Sequence, residues 1–483
     1  METAGYPESL ALFVAGQWRR GAGRACIAIE NPADGSILGE LPVARAEDID
    51  DAIASSVQGF HEWSRHSPWQ RAEILLRAES LIAADTERLA RIITLENGKP
   101  LPESRGEIDR VRETLVYCAE EGKRTYGRVY PPRAAGLAQT VIKRPLGPVA
   151  GFSPWNFPAV LPMRKIAPAL AAGCSIVLKP AEECPAICIE LVRLMIEAGV
   201  PANALNLLFG DPAAISDRLI AAPEIRKISF TGSIAVGKLL AEKAGRHLKA
   251  VTMELGGHAP VIVFDDVDAE TVALRCAMFK YRNAGQVCLA PSRFYIHDSV
   301  FPAFARVFAE VARQLKVGPG LEAGTEVGPL SNRRRLEAAE ALVDDIIKGG
   351  GALLAGGQRL GNAGYFFAPT VATDIDPAAR ILREEPFCPI APLIPFTDID
   401  AMFAAANNND VGLSAYAFTN SLDRAHAFTE RIQAAWLGIN DFVPLLADAP
   451  VAAHRQSGLG YEGGPEGLDA FLETKFISQR LAP

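Results

Sequence analysis

The sequence predicts an α/β protein of two or three domains, built on a mostly parallel sheet wrapped by helices. Three observations predict it. At 483 residues the chain is too long to close around one core, because single cores stop growing near ~250–300 residues. From about residue 147, short apolar runs alternate with helical stretches, the pattern of βαβ units. A second alternating series starts near residue 259 and continues to about residue 440.

In chain order, residues 46–53 and 70–77 carry apolar residues at helical spacing, and the region from about 45 to 130 reads as helical. The proline-broken stretch 127–133 leads to a strand-like run at 139–142, an arm reaching out of the first domain. Strands are predicted at 149–152, 175–179, 205–209 and 227–230. Helices are predicted at 164–172, at 189–198 and from Ser233. The second series has strands at 259–263 and 294–296, a helix near 300–315 and glycine turns around Gly350. Residues 470–477 are expected to pair with such an arm, and both features point to an oligomer. No solenoid repeat or low-complexity segment occurs.

Composition narrows the function class. Hydrophobic residues make up 49% and charged residues 22%, ordinary for a soluble globular protein. The net charge of -8 argues against nucleic acid, whose phosphates need a basic face. Arg333-Arg334-Arg335 is the one tight basic run and reads as a solvated helix start. The opening Met1-Glu2-Thr3-Ala4-Gly5 lacks a basic region followed by an apolar core. No run reaches the ~18–20 apolar residues of a membrane span. A cytoplasmic protein with no membrane partner is expected. The eight cysteines are scattered, unlike a disulfide scaffold. Cys184 and Cys188 could share a helix face, but they lack a second pair or a nearby histidine, so no metal site is expected.

The chemistry-bearing residues lie in short glycine- and proline-rich motifs. Gly285-Gln286-Val287-Cys288 offers a thiol, and Glu254-Leu255-Gly256-Gly257 a carboxylate. A thiol nucleophile and a carboxylate base are what oxidation of an aldehyde through a thioester needs. Taken alone, Cys288 is one cysteine of eight and Glu254 reads equally as a surface carboxylate before a turn. A free thiol, with a pKa of about 8.5, is only a few per cent thiolate at pH 7, so it needs a polarising environment. In Phe152-Ser153-Pro154-Trp155-Asn156-Phe157-Pro158, prolines and aromatics stiffen a loop around Asn156. A rigid amide donor suits an oxyanion hole; closing a turn is the other reading. Phe230-Thr231-Gly232-Ser233 sits at a strand-to-helix turn, with Gly237 beyond it. There glycine admits a phosphate and the helix N-terminus attracts it; a plain turn is the alternative. Lys179 and Glu182 close another strand. They either hold ribose hydroxyls, Glu182 then favouring NAD over NADP, or are a solvated lysine and a helix-start carboxylate.

With these motifs in order, the chain resembles the aldehyde dehydrogenase superfamily over nearly its full length, including Glu384-Glu385-Pro386-Phe387. The resemblance implies an aldehyde dehydrogenase-like α/β fold with a Rossmann-type cofactor domain (1–122 and 143–256). It also implies an α/β catalytic domain (257–453), and a small oligomerisation arm and tail (123–142 and 454–483). It implies Cys288 as nucleophile, Glu254 as the base that activates water, and Asn156 with the Cys288 backbone N–H as oxyanion hole. Lys165 would stand in the proton path. Trp155, Lys179, Glu182, Gly232 and Ser233 would hold the adenosine diphosphate half of NAD, with NADP the alternative. Glu385 and Phe387 would hold the nicotinamide ribose and ring. A homodimer or homotetramer is implied.

Within the superfamily the chain is most similar to succinate-semialdehyde and α-ketoglutarate-semialdehyde dehydrogenases. The likeness rests on residues 254–260 and 282–288 and on Gly463-Gly464-Pro465-Glu466. Arg164 and Arg282 match arginines that bind the distal carboxylate in that branch, and a guanidinium fork suits a carboxylate; structural ion pairs are the other reading. Aromatic or aliphatic aldehydes are the alternative substrates, and a non-catalytic family member the further alternative. A CoA-acylating relative would lack the base at Glu254. Three departures stand out. Val451-Ala452-Ala453-His454-Arg455 replaces a stretch that usually carries two glycines and an aromatic, Cys388 replaces a usual glycine, and the substrate-side segment 442–446 is apolar.

Overall fold

The computed structural model describes residues 5–442 and 445–480. Val443 and Pro444 of the apolar 442–446 segment fall outside them, as do the first four residues, on which the reading of the N-terminus rested.

An eight-stranded sheet runs in the order Gln17–Arg19, Leu12–Val14, Leu205–Leu207, Ile176–Pro180, Val149–Ser153, Lys227–Thr231, Ala250–Glu254, Gly458–Leu459. Its five central strands are parallel and its outer strands antiparallel. In chain order the central strands read 3-2-1-4-5, the doubly wound order. The order reverses between Val149–Ser153 and Lys227–Thr231, which opens a crevice at their C-terminal ends.

A seven-stranded sheet runs Ala352–Ala355, Thr370–Thr373, Ile390–Phe396, Pro291–His297, Ala259–Val263, Ser414–Phe418, Trp436–Ile439. It is parallel except for its first strand. Four residues, 255–258, carry the chain from the C-terminal end of Ala250–Glu254 into the N-terminal end of Ala259–Val263. The C-terminal edge of the first sheet therefore meets the N-terminal edge of the second.

Val149–Ser153 and the helix Val160–Ala172 are buried along their whole length, the charged Arg164 and Lys165 included. That helix stops at Gly173, in the left-handed conformation with φ 97°. It starts four residues earlier than its apolar periodicity alone suggests, because the preceding loop already turns it in. The helix expected at 189–198 runs Pro185–Glu197, with proline tolerated at its first position. The short strands before residue 45 were not legible. They are three to six residues long, two of them closing a tight hairpin and one bonded to Leu205–Leu207, and their local pattern is weak.

Leu472–Arg480 pairs antiparallel with Leu137–Pro145 of the same chain, and Arg128–Tyr130 flanks the other side. This three-stranded arm leaves Val129 84% and Phe476 58% exposed. Among the described residues, no helix is long and apolar enough to cross a membrane.

Candidate active site

The head-to-tail meeting of the sheets creates one cavity of about 1260 Å³. Pockets for a single small ligand run ~300–1,000 Å³, so there is room for two ligands side by side. Loops from the first sheet bring Trp155, Asn156, Gly232, Ser233 and Glu254 to its wall. Loops entering the second sheet bring Cys288, Glu385 and Phe387. Arg164 and Arg282 also line it.

Cys288 is presented by a turn with unusual backbone. Asn283, Ala284 and Gly285 have φ of 46°, 52° and 75°, three left-handed residues in succession. For a non-glycine residue this costs ~1–2 kcal/mol. Surrounding bonds hold the turn: Gln286 Nε2 donates to Asn283 O (3.1 Å) and Ser331 N to Gln286 Oε1 (3.0 Å). A Cβ at Gly285 would lie 2.3 Å from the Cys388 carbonyl oxygen, so only glycine fits. Of the eight cysteines, six are buried, Cys26 is exposed and Cys288 alone is half-buried, opening on the cavity. Its crowded setting pushes the thiol up to about 12, with the Glu385 and Glu254 carboxylates adding to the effect. The backbone N–H groups of Cys288 and Leu289 pull the other way.

The Asn156 loop leaves Val149–Ser153 and touches the Cys288 turn directly. Asn156 Nδ2 donates to Gln286 O at 3.1 Å. The Asn156 carbonyl accepts from Lys99 Nζ (2.8 Å) and Asn283 Nδ2 (2.9 Å). Cys184 and Cys188 pack beneath this loop, their thiols directed at the Trp155 and Pro158 carbonyls.

Glu254 ends its strand buried, and its Oε1 has no hydrogen-bond partner among the described residues. Burial holds this carboxyl well above the usual range, and the Glu462 carboxylate raises it further. Lys165 and Arg164 oppose them. Lys165 itself lies behind the cavity wall, fully buried, donating to Thr231 Oγ1 (2.7 Å) and paired with Glu462. The departing 451–459 segment buttresses Glu254. Gly458–Leu459 pairs with its strand, and Ser457 Oγ donates to Gly256 O (2.9 Å) while accepting from Gly412 N (3.0 Å). Val451, buried against Leu289, Leu413 and Trp436, lines the cavity.

At the other end, Ser233 caps the helix Ile234–Arg246 beside Gly232. Glu385 Oε1 accepts from Gly257 N (3.1 Å), and a Cβ at Gly256 would lie 2.4 Å from its Oε2. Burial lifts Glu385 to about 7, against the pull of that N–H and of Arg335. Phe387 meets Trp155 edge to face at 5.7 Å. Arg335 donates to Pro386 O (2.7 Å) and covers the Phe387 ring, so the third arginine of the basic run is a site residue rather than a solvated one. Lys179 and Glu182 sit on the same sheet edge but are not among the residues lining the cavity. They pair with each other at 2.6 Å, and Gly210 N donates to Glu182 Oε1 (2.9 Å).

The two arginines differ. Arg282 is exposed, its guanidinium 5.4 Å from the Phe279 ring, which stacks on Phe442 at 4.3 Å. Arg164 is buried. Its Nη1 donates to Leu446 O (3.0 Å), its Nε stands 3.8 Å from Glu462, and its Nη2 has no partner among the described residues. A Cβ at Gly463 would lie 2.5 Å from that Nη2, so glycine there keeps room for the arginine. Lys99, Glu107 and Glu462 were not legible in the sequence: no local motif marks them, and each acts on a partner 52 or more residues away, at Asn156, Ala159 and Lys165.

Residues 18–477 match the aldehyde dehydrogenase family. The chain is 42% identical, over 96% of its length and 97% of the relative's, to a putative 4-(hydroxymethyl)benzenesulfonate dehydrogenase of Comamonas testosteroni. It is 39% identical to the mitochondrial succinate-semialdehyde dehydrogenase of Arabidopsis thaliana, over 96% of the chain and 88% of that protein. The crystal structure of an NADP-dependent enzyme from E. coli superimposes with a TM-score of 0.96 at 36% identity, covering 99% of both chains. A thiol, a carboxylate and an amide converge on one cavity between two such sheets, and the likeness runs almost end to end; the chain belongs to the aldehyde dehydrogenase family and is an NAD(P)-dependent aldehyde dehydrogenase.

Proposed function

We propose that the protein oxidises an aldehyde carrying a distal anionic group to the carboxylic acid, with a semialdehyde such as succinate or α-ketoglutarate semialdehyde as the leading substrate class. The carrying observation is the Arg164 guanidinium, buried in the cavity wall with a nitrogen unpartnered among the described residues. Leaving such a donor unmade costs ~1–3 kcal/mol or more for a charged group, and a carboxylate arriving from the cavity would satisfy it. Arg282 adds a second, exposed guanidinium.

In this reading Cys288 attacks the aldehyde carbon. The thiol starts neutral, so its proton must pass to a neighbouring acceptor as the S–C bond forms, and Glu254 is the unpartnered carboxylate at hand. The Asn156 amide, which has a second N–H besides the one bonded to Gln286 O, and the Cys288 backbone N–H hold the thiohemiacetal oxygen. When bound, the nicotinamide cofactor accepts the hydride that leaves this carbon. Glu254 passes the thiol proton outward and is again a carboxylate before it takes a proton from water, whose oxygen adds to the thioester carbon; the S–C bond breaks, the acid departs and the Glu254 proton returns to the Cys288 sulfur. Lys165 and Glu462 lie behind Glu254 as a route for the proton.

The other end of the cavity fits a dinucleotide. It offers a helix N-terminus at Ser233, the ring pair Trp155 and Phe387, Glu385 fixed by Gly257, and buried donors Asn332 Nδ2 and Arg335 Nε without partners among the described residues. NAD is the preferred form in this reading, because the Glu182 carboxylate would repel a 2′-phosphate. The exposed apolar side chains of the arm support a homodimer or homotetramer, testable by light scattering.

An aromatic aldehyde bearing the same anion is the second reading, favoured by the stacked Phe279 and Phe442 wall beside Arg282 and by the benzenesulfonate named for the Comamonas relative. The test is reduced-cofactor formation with NAD and with NADP. The aldehydes are succinate semialdehyde, α-ketoglutarate semialdehyde, 4-carboxybenzaldehyde, 4-sulfobenzaldehyde, benzaldehyde and hexanal. Anionic aldehydes should lead in kcat/KM. If benzaldehyde and hexanal lead, the anion reading is wrong.

A further inference from the structure

We propose that Lys99 and Asn283 are positioning residues that together fix the Asn156 amide relative to the Cys288 turn. The inference rests on the oxyanion role given to Asn156 above.

Lys99 occupies the turn between the helices Thr86–Asn97 and Leu101–Glu121, beside the left-handed Gly98 (φ 90°). Its ammonium is fully buried. Nζ meets Glu107 Oε2 at 2.6 Å and the Asn156 carbonyl at 2.8 Å, and sits 4.1 Å from the centre of the Phe157 ring. The other Glu107 oxygen accepts from Ala159 N (2.8 Å) and Val160 N (3.2 Å), at the start of the helix Val160–Ala172. One buried ion pair thus ties down the whole loop from Asn156 to Val160.

The second tie comes from the opposite side. Asn283 Nδ2 donates to the Asn156 carbonyl (2.9 Å) and to the Gln286 carbonyl (3.3 Å), while its own N–H donates to Glu103 Oε2 (2.9 Å). The Asn156 carbonyl therefore receives one donor from the helical hairpin and one from the Cys288 turn. If either were lost, the peptide could rotate and swing the amide away from the reacting oxygen.

Stability does not account for this arrangement. Burying an ammonium and a carboxylate costs several kcal/mol per ion, and an apolar pair of similar volume is often as stable. The left-handed backbone at Asn283 is a further cost. What the network does accomplish is to set a distance between two loops from different sheets, and misplacement of a reacting group by about 1 Å can cost ~10²-fold in rate.

The test is a pair of double-mutant cycles on single-turnover hydride transfer, with succinate semialdehyde and whichever cofactor is used faster. Asn283→Gly removes the donor but accepts the left-handed backbone. K99M combined with E107Q removes both buried charges while keeping an acceptor for Ala159 and Val160. Each should slow hydride transfer about 10- to 100-fold with cofactor affinity unchanged within about twofold. In an Asn156→Ala background each should change the rate less than about twofold, because the group they position is gone. Full additivity with Asn156→Ala would overturn the proposal. If Asn156→Ala alone leaves hydride transfer unchanged, the oxyanion reading falls and the positioning role falls with it. Should the K99M/E107Q protein fail to fold, the Asn283→Gly cycle decides by itself.

Discussion

Two regions of the cavity wall are built on opposite plans. Around Cys288 and Asn156, backbone carbonyls and side-chain amides are bonded into one web, with Gln286, Asn283 and Lys99 as its knots. Around Arg164 and Arg282 the wall is apolar and aromatic, with one guanidinium exposed and the other short of a partner among the described residues. A web of this kind fixes the geometry of a reaction; an unfilled donor in an apolar wall waits for a ligand. The chemistry is therefore held by protein–protein bonds, and the choice of substrate is left to bonds that only the substrate can complete.

The sharpest break of the first region is Cys288→Ala. Hydride transfer should fall below about one thousandth of wild type, since removing a nucleophile disables the whole constellation. Cofactor binding, followed by protein fluorescence, should persist, because the residues at the dinucleotide end are untouched. A variant that still oxidised aldehydes at the wild-type rate would disprove the nucleophile assignment.

The same contrast governs what could be read from the sequence. Gly256, Gly257 and Gly285 were legible as motif glycines because a Cβ on any of them would collide with Glu385, Leu413 or the Cys388 carbonyl, so backbone geometry leaves a local mark. The parallel order of the first sheet was legible from alternating apolar runs, because its central strands are buried. Lys99 and Glu462 were not, because what makes them matter lies 57 residues away at Asn156 and 297 away at Lys165. The substrate wall is assembled from helix, loop and tail segments far apart in the chain, so no single stretch shows its shape. Arg164 could be singled out by resemblance, but neither spacing nor composition tells a clamp from an ion pair.

The second region is sharpened by Arg164→Met. Against an anionic aldehyde kcat/KM should drop about 30-fold or more, the ~2 kcal/mol or greater loss typical of a buried charge left unpaired. Against hexanal the loss should be only a few-fold. Arg282→Met, at an exposed site, should cost no more than about fivefold. Equal losses on charged and neutral aldehydes would make Arg164 a structural residue.

Glu462→Gln probes the seam between the regions. Glu254 serves as base only when deprotonated, so the rate of thioester hydrolysis rises with pH through its titration. Burial and the Glu462 carboxylate both hold that titration above the ordinary carboxylate range. Removing the Glu462 charge takes away one of the two raising causes, so the acid limb of kcat should move to lower pH. A limb that stayed in place, or moved to higher pH, would show that Glu462 does not act on Glu254.

The smallest expected effect lies farthest from the chemistry. Glu182→Gln changes a charge while leaving the geometry intact, because the amide oxygen can still accept from Gly210 N. Two consequences push in the same direction. The carboxylate that repels a 2′-phosphate disappears, and Lys179, now 2.6 Å from Glu182, loses its counter-charge and is free to attract that phosphate. Glu182 is partly solvated, so the change is set by screened charge contacts worth about 1 kcal/mol. The ratio of kcat/KM with NADP to that with NAD should therefore rise about fivefold, more at low ionic strength than at high. If the ratio is insensitive to both the substitution and the salt, the adenosine ribose is not recognised at this end of the sheet.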